Sequence, residues 1–281
     1  MRDATKHIVQ GNAGKLLVRA WRPPAPPRAV VAICHGFNAH GGMYAWCADQ
    51  FVQAGMAACA LDLRGRGRSE GERFYVERFD DYVDDLAKLV EFASSLAPST
   101  PVYLLGHSAG GVVSCLFALR QPHALAGLVC EDFAFDLPAP GFALALFKGI
   151  SRVAPHARAL KLKHQDFSRD PMVVKAMDED PLIAGEAQPF ATMAALIRAD
   201  AQLRKAIPGI RLPLFVIHGT ADRAARPRGS QYLHAHAGSS DKTLELYEGR
   251  YHDPLNDLGK EEVMSDIIAW IVARLPGAGA A

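Results

Sequence analysis

The stretch that most constrains the fold of this chain is a G-x-S-x-G sequence centred on Ser108. An apolar run, 102–105, precedes it, and a run with helical spacing, 112–119, follows it. A strand that turns at once into a helix at such a serine is a nucleophile elbow. Side chains at Gly106 and Gly110 would crowd the turn, and the helix N-terminus favours negative charge beside the serine. The pattern predicts a nucleophilic Ser108, although a glycine-rich strand–helix turn alone has the same local sequence.

The composition is that of an ordinary globular protein, with 49% apolar residues, 22% charged residues and a net charge of +1. A charge so close to zero argues against a nucleic-acid or strongly anionic partner. We find no apolar stretch that approaches the about 18 residues of a membrane span, and no signal peptide. The five cysteines form no C-x-x-C pair. This favours buried reduced thiols in a cytoplasmic protein over a disulfide framework or a zinc site.

Apolar runs alternate with helical patterns along most of the chain. Strands are predicted near 29–34, 56–61, 102–105, 125–130, 212–218 and 243–247. Helices are predicted at 43–54, 79–96, 112–119, 228–236 and 261–275. The alternation predicts an α/β fold with a mostly parallel central sheet flanked by helices. A hairpin with a four-residue loop at 11–14 is predicted before it.

The alternation stops between residues 133 and 207, where prolines separate short helical pieces. This segment is predicted to be a helical cap inserted into a core formed by 1–132 and 208–281. No internal repeat interrupts either part.

Ligands of a parallel sheet bind at the carboxyl ends of its strands. Asp222 and His252 each follow a predicted strand there, and with Ser108 they come in the order serine, acid, histidine. A serine hydroxyl needs a histidine base, and the histidine needs a carboxylate that orients it. We therefore predict these three residues as a catalytic triad. Asp222 alone could instead cap a helix, and Asp253, next to His252, is expected to point elsewhere.

Acyl transfer also requires donors for the oxyanion of the transition state. The N–H of Ala109, directly after the nucleophile, is one candidate. The N–H of Phe37, in the loop after the first buried strand, is the other, because Gly36 permits a close backbone approach. His35 is expected to be structural.

Together these motifs identify a resemblance to the monoacylglycerol lipase and lysophospholipase-like branch of the α/β-hydrolases. The segments that carry it are 35–44, 62–71, 79–86, 106–111, 168–171, 180–182, 218–222 and 251–255. The resemblance implies a serine esterase without cofactor or metal that acts on a lipid-like carboxylic ester, with an acyl tunnel under the cap. Carried over by position, it implies the same roles for Ser108, Asp222, His252, Phe37 and Ala109.

The chain departs from the family pattern in three places. Glu131 and Asp132 follow a predicted strand where the family usually has small residues. Some α/β-hydrolases place the triad acid at this strand, so Asp132 is an alternative to Asp222. The sequence Arg-Ala-Ala-Arg at 223–226 follows Asp222 where the family tends to have an apolar residue and a valine or proline. The cap matches only around 168–182, which leaves the substrate open.

The most apolar part of the predicted cap is 141–150. Such a stretch either packs on the core or forms a rim for lipid entry that contacts membranes transiently. On the second hypothesis, Phe142 and Leu146 line an acyl channel and are candidate substrate-binding residues.

Several other functions remain open at this stage. Three arginines at 64, 66 and 68 could attract a phosphate head group, which keeps a lysophospholipase in view. A short-chain carboxylesterase or an acyltransferase would use the same triad. A non-catalytic binding protein on the same fold is the alternative from another class.

Overall fold

The computed structural model describes residues 3–135 and 141–277, without the side chains of 141–144, 146 and 148. The candidate residues Phe142 and Leu146 belong to a helix, but their side chains lie outside the described residues. Within the described ranges, no helix combines the length and the hydrophobicity needed to cross a bilayer.

The described residues form ten strands. They are β1 (Thr5–Gly11), β2 (Gly14–Trp21), β3 (Val30–Cys34), β4 (Ala57–Leu61), β5 (Val102–His107), β6 (Gly127–Glu131), β7 (Arg158–Leu160), β8 (Gln188–Pro189), β9 (Leu214–Gly219) and β10 (Lys242–Tyr247). Eight of them form one sheet in the order β1-β2-β4-β3-β5-β6-β9-β10, and β7 pairs with β8. All pairs from β4 to β10 are parallel, whereas β1–β2 and β2–β4 are antiparallel. The predicted mostly parallel sheet is confirmed.

Eight α-helices accompany the strands in the described part of the chain. They are α1 (Ala45–Gln53), α2 (Phe79–Leu96), α3 (Ala109–Arg120), α4 (Gly141–Val153), α5 (Pro171–Glu179), α6 (Phe190–Ala206), α7 (Pro227–His236) and α8 (Lys260–Val272). Helices α1 and α8 pack on one face of the sheet, and α2, α3 and α7 pack on the other. Alternate residues of β3 therefore enter two different cores, which explains why the strand is apolar throughout.

The N-terminal hairpin differs from its prediction. Gly11 pairs with Gly14, so the loop contains only Asn12 and Ala13. The ladder extends one residue further on each strand because Gly14, with φ of 130°, adopts a backbone conformation that other residues rarely reach.

The segment predicted as a cap lies between β6 and β9, and its described strands, β7 and β8, do not join the large sheet. The Phe147 ring lies 5.1 Å from the Phe190 ring and ties α4 to α6. Leu196 and Leu203 of α6 belong to the same buried cluster as α3. The segment thus packs through α6 on the face of the sheet that carries α3. Its division from the core at 133 and 207 stays a prediction.

All five cysteines are buried and free, in agreement with the interpretation of reduced thiols. They lie in apolar surroundings, and burial raises the pKa of Cys34 and Cys59 far above the ordinary value. Such thiols are unreactive core residues.

Candidate active site

Ser108 occupies the turn between β5 and α3 with φ of 55° and ψ of −119°. This is a strained conformation for a residue with a side chain. A Cβ on Gly110 would collide with the carbonyl oxygens of Cys34 and His35, and one on Gly106 would collide with Ser114 Oγ. The glycines of the elbow are therefore required by close packing of the turn against β3 and α3.

The loops after β9 and β10 bring two further side chains to Ser108. His252 Nε2 lies 2.8 Å from Ser108 Oγ, and His252 Nδ1 lies 2.7 Å from Asp222 Oδ2. All three side chains are buried or nearly so. The three residues proposed from the sequence as a triad thus form one continuous chain of hydrogen bonds, in the geometry that a serine nucleophile and its base require.

Asp222 is held by three hydrogen bonds and a close contact. Its Oδ1 accepts the N–H groups of Ala224 and Ala225 at 2.7 and 2.9 Å, and its Oδ2 accepts from His252 at 2.7 Å and lies 3.0 Å from His218 Nε2. Burial alone would raise the pKa of Asp222, but the two histidines outweigh it and hold this pKa below the ordinary value. Asp222 is therefore ionised throughout the neutral range, as an orienting carboxylate must be.

The alternative acid, Asp132, lies close by but makes different contacts. Its Oδ1 accepts the N–H of Gly219 at 2.9 Å and lies 3.3 Å from His218 Nε2. Burial, followed by repulsion from Asp222 and Glu131, raises the pKa of Asp132 well above the ordinary value. This shift favours the neutral form of Asp132, whereas Asp222 is the carboxylate that contacts His252.

Asp253 turns away from the site, as its place beside His252 suggests. Both of its carboxylate oxygens accept from Asn256 Nδ2, at 3.1 and 3.0 Å. This interaction closes the short turn after His252.

The loop after β3 lies directly against the elbow. A Cβ on Gly36 would stand 2.8 Å from Ser108 Cβ and 3.4 Å from the Ala109 nitrogen. The residue before Phe37 therefore packs closely against the elbow, and the roles of Phe37 and Ala109 as oxyanion donors stay a prediction. His35 is structural: its Nε2 accepts the N–H of Leu63 at 3.1 Å, and burial lowers its pKa to about 3.

Two of the three arginines that could attract phosphate are occupied. Arg64 forms a two-point contact with Asp85 at 2.6 and 2.8 Å. Arg66 is fully buried in an ion pair with Glu186 and donates to Gln188 Oε1 at 2.9 Å. These two side chains stabilise structure and are not free to bind a ligand.

Glu186 connects the predicted cap to the loop of the oxyanion donors. Besides Arg66, its Oε1 accepts the N–H of Asn38, next to Phe37, at 2.8 Å. Sequence reasoning assigns no role to Glu186, because Arg66 and Asn38 lie more than a hundred residues away from it in the chain.

Sequence reasoning also assigns no role to His218, although it belongs to the quoted segment 218–222. Its Nε2 lies 3.0 Å from Asp222 Oδ2 and is hydrogen-bonded to the Ala225 carbonyl at 3.4 Å. The sequence signal that could have indicated this contact is the spacing of four residues between His218, at the end of a predicted strand, and the candidate acid Asp222.

Two groups of side chains in the described residues come close enough to hold a metal ion, with ligand atoms within 4.8 Å of one another. One comprises Asp132, Asp222 and His252. In this group both ring nitrogens of His252 are already hydrogen-bonded, to Ser108 and to Asp222. The other comprises His107, Glu131 and Asp253. In it His107 Nε2 is bonded to the His252 carbonyl at 2.9 Å, and Glu131 accepts the N–H of Leu255 at 3.0 Å. The expectation of a site without metal or cofactor stays a prediction.

The chain matches the protein family described as serine aminopeptidase S33 over residues 25–259. It belongs to this family. It is 32% identical to a monoacylglycerol lipase of Mycolicibacterium smegmatis, over 96% of this chain and 98% of that protein. It is 31% identical to human monoglyceride lipase, over 98% of this chain and 92% of that protein.

Solved structures of the family have the same architecture. A monoacylglycerol lipase from Paleococcus ferrophilus superposes with a TM-score of 0.82 at 27% identity, over 92% of this chain and 99% of that chain. The predicted resemblance and the predicted α/β-hydrolase fold are confirmed. This serine hydrolase family thus accounts for the elbow, the sheet order and the positions of the polar loops.

Proposed function

We propose that the protein hydrolyses the carboxylic ester of a lipid-like, monoacylglycerol-type substrate through an acyl-enzyme. The observation that carries the proposal is the chain of hydrogen bonds from Ser108 through His252 to Asp222, at 2.8 and 2.7 Å. In it Ser108 is the nucleophile, His252 the base and Asp222 the acid that orients the base. The N–H groups of Phe37 and Ala109 are the oxyanion donors.

The reaction proceeds in two balanced halves. Ser108 Oγ attacks the ester carbonyl while His252 Nε2 accepts its proton, and the carbonyl oxygen becomes an oxyanion between the two N–H donors. The intermediate collapses, the bond to the alcohol breaks, and His252 returns the proton to the departing oxygen. Water then attacks the acyl-Ser108 ester by the same route and releases the carboxylic acid.

Asp222 contributes throughout because it stays ionised. It fixes the proton of His252 on Nδ1, so that Nε2 faces Ser108, and it stabilises the imidazolium that forms in each half. Each oxyanion donor typically lowers the barrier by about 2.7–4 kcal/mol.

The substrate class is supported by relatives that cover nearly the whole chain and are named monoacylglycerol or monoglyceride lipases. The arginine contacts favour a neutral head group over a phosphate, since Arg64 and Arg66 are paired with Asp85 and Glu186. A lysophospholipase is therefore the second candidate. The buried free thiols support a cytoplasmic enzyme, while transient membrane contact through 141–150 rests on its apolar sequence.

The direct test is release of fatty acid from monoacylglycerols of C4 to C18, beside matched methyl esters and lysophosphatidylcholine. We expect kcat/KM for long-chain monoacylglycerols to exceed the values for the other two classes by about tenfold or more. Turnover of short esters alone would assign a carboxylesterase, and a preference for lysophosphatidylcholine would assign a lysophospholipase. Ser108→Ala is the control for background hydrolysis.

A second prediction concerns the proposed acyl channel. We expect Phe142→Asp and Leu146→Asp to slow the hydrolysis of long-chain esters far more than that of acetate esters, because a charge in the proposed channel would oppose entry of the alkyl chain. The measurement is the ratio of kcat/KM for the two ester lengths in each variant. Equal losses on both esters would remove these two residues from the acyl site.

A further inference from the structure

One oxygen of the proposed triad acid is shared by two imidazole rings. Asp222 Oδ2 lies 2.7 Å from His252 Nδ1 and 3.0 Å from His218 Nε2. His218 belongs to β9 and is fully buried, with no exposed surface. The mechanism given above uses His252 and leaves His218 without a part.

The surroundings of His218 fix where its proton lies. Three oxygen acceptors surround its Nε2. They are Asp222 Oδ2 at 3.0 Å, Asp132 Oδ1 at 3.3 Å and the Ala225 carbonyl at 3.4 Å. Nε2 must therefore carry a hydrogen and donate it. Ser230 Oγ, on α7 and fully buried, lies 2.7 Å from Nδ1 and can donate to it.

The second carboxyl group near His218 is the weaker acceptor of this proton. Asp132 is fully buried and accepts the N–H of Gly219, and burial raises its pKa well above the ordinary value, which favours its neutral form. The negative charge that faces the Nε2–H of His218 is thus that of Asp222. A hydrogen bond to a charged acceptor is stronger than one to a neutral acceptor.

We propose that His218 is a positioning residue of the triad: by donating Nε2–H to Asp222 Oδ2, it aims that carboxylate at His252 and limits its negative charge. The inference rests on the proposed function and adds a member to its machinery. His218 touches neither substrate nor the reacting atoms, so it acts entirely through Asp222.

The donation has a measurable consequence. A carboxylate oxygen that already accepts one strong hydrogen bond attracts a second, positively charged partner less. Without His218, Asp222 would stabilise the protonated form of His252 more, and His252 would lose its function as a base at a higher pH. The acidic limb of the pH profile of kcat/KM reports this protonation.

The other titratable and charged groups around the triad are the same in the wild type and in each His218 variant. They are His107 on β5, Glu131 and Asp132 at the end of β6, Arg223 in the loop of Asp222, and Asp253 in the loop of His252. A shift of the acidic limb of the pH profile in a His218 variant therefore reports the loss of the interaction between His218 and Asp222.

The test compares three variants on a short, soluble ester from pH 5 to 9. His218→Leu removes the donor, whereas His218→Gln places an amide N–H within reach of Asp222. Ser230→Ala keeps the donor but loses the hydrogen bond to Nδ1.

For His218→Leu we expect kcat to fall about tenfold with KM unchanged, since a small displacement of Asp222 misaligns the base. We expect the midpoint of the acidic limb to move upward by about 0.5–1 pH unit. His218→Gln should stay within about threefold of the wild type with an unmoved limb, and Ser230→Ala should fall between the two. Melting temperatures report whether each variant is folded.

The rate of fluorophosphonate labelling of Ser108, measured over the same pH range, gives a readout that does not depend on the ester. If His218→Leu keeps the wild-type limb, or if the glutamine variant loses as much as the leucine variant, the inference is overturned while the proposed function stands. If His218→Leu does not fold, an unmoved limb in Ser230→Ala together with a moved limb in His218→Gln overturns it. A wild-type protein that neither hydrolyses esters nor accepts the label overturns both.

Discussion

Replacing Ser108 with alanine is expected to abolish ester hydrolysis, with kcat falling by about 10⁵-fold or more. The variant loses the only atom that can form the acyl bond in the proposed mechanism. Ser108 Oγ donates to His252 and is otherwise a small, nearly buried group, so its removal leaves the packing of the elbow intact. We expect the melting temperature to change little.

The measurement combines hydrolysis with covalent labelling by a fluorophosphonate, followed by intact-mass analysis. The wild type should gain one label per chain, and Ser108→Ala should gain none. Ser94→Ala is the matched control, because Ser94 Oγ donates to the Val90 carbonyl within α2, away from the residues of the proposed triad. Labelling of the Ser108 variant, or a loss of activity in the Ser94 variant, would contradict the assignment.

The fold was predictable wherever one short pattern determines one element. The helix predicted at 79–96 is α2 with the same bounds, because its apolar residues recur at helical spacing over five turns. The elbow was predictable because a side chain at Gly106 or Gly110 would clash with neighbouring atoms of the turn. The hairpin loop was predicted two residues too long, since the conformation of Gly14 is set by pairing and not by composition.

The network behind the triad could not be predicted in the same way. Asp132 follows β6 and Asp222 follows β9, and these two strands are neighbours in the sheet although more than eighty residues separate them. Strand order is decided by tertiary packing, so the sequence places both acids at the same edge without stating which one faces His252. The buried pair of Arg66 and Glu186 is hidden for the same reason.

Replacing Asp222 with asparagine is the second large effect that we expect, with kcat falling about 10⁴-fold. The amide keeps the size of the side chain but cannot carry the negative charge that stabilises the imidazolium of His252. It can also present its N–H₂ to His252 Nδ1, which selects the wrong tautomer and leaves a hydrogen on Nε2 facing Ser108. The loss should appear in kcat more than in KM, because Asp222 acts on the base and not on the bound ester.

Asp132→Asn is the matched control, since it makes the same isosteric change on the neighbouring strand end. We expect less than about a tenfold loss of kcat, because Asp132 is not a member of the hydrogen-bond chain from Ser108 to Asp222 and its raised pKa favours a neutral carboxyl group. The same substitution is expected to raise the free energy of unfolding. The raised pKa of Asp132 stabilises the folded state below the ordinary carboxyl pKa, and this stabilisation is lost as the pH rises toward the raised value.

An asparagine in place of Asp132 would not ionise in the unfolded chain, so the melting temperature of Asp132→Asn should exceed that of the wild type by an amount that grows as the pH rises above the ordinary carboxyl pKa. Asp222→Asn has the reverse sign, since the lowered pKa of Asp222 stabilises the folded state above the ordinary value and this contribution disappears on acidification. The two variants therefore distinguish the role of Asp222 from that of Asp132 both by activity and by the pH dependence of stability. Full activity in Asp222→Asn together with loss in Asp132→Asn would move the acid of the triad to β6.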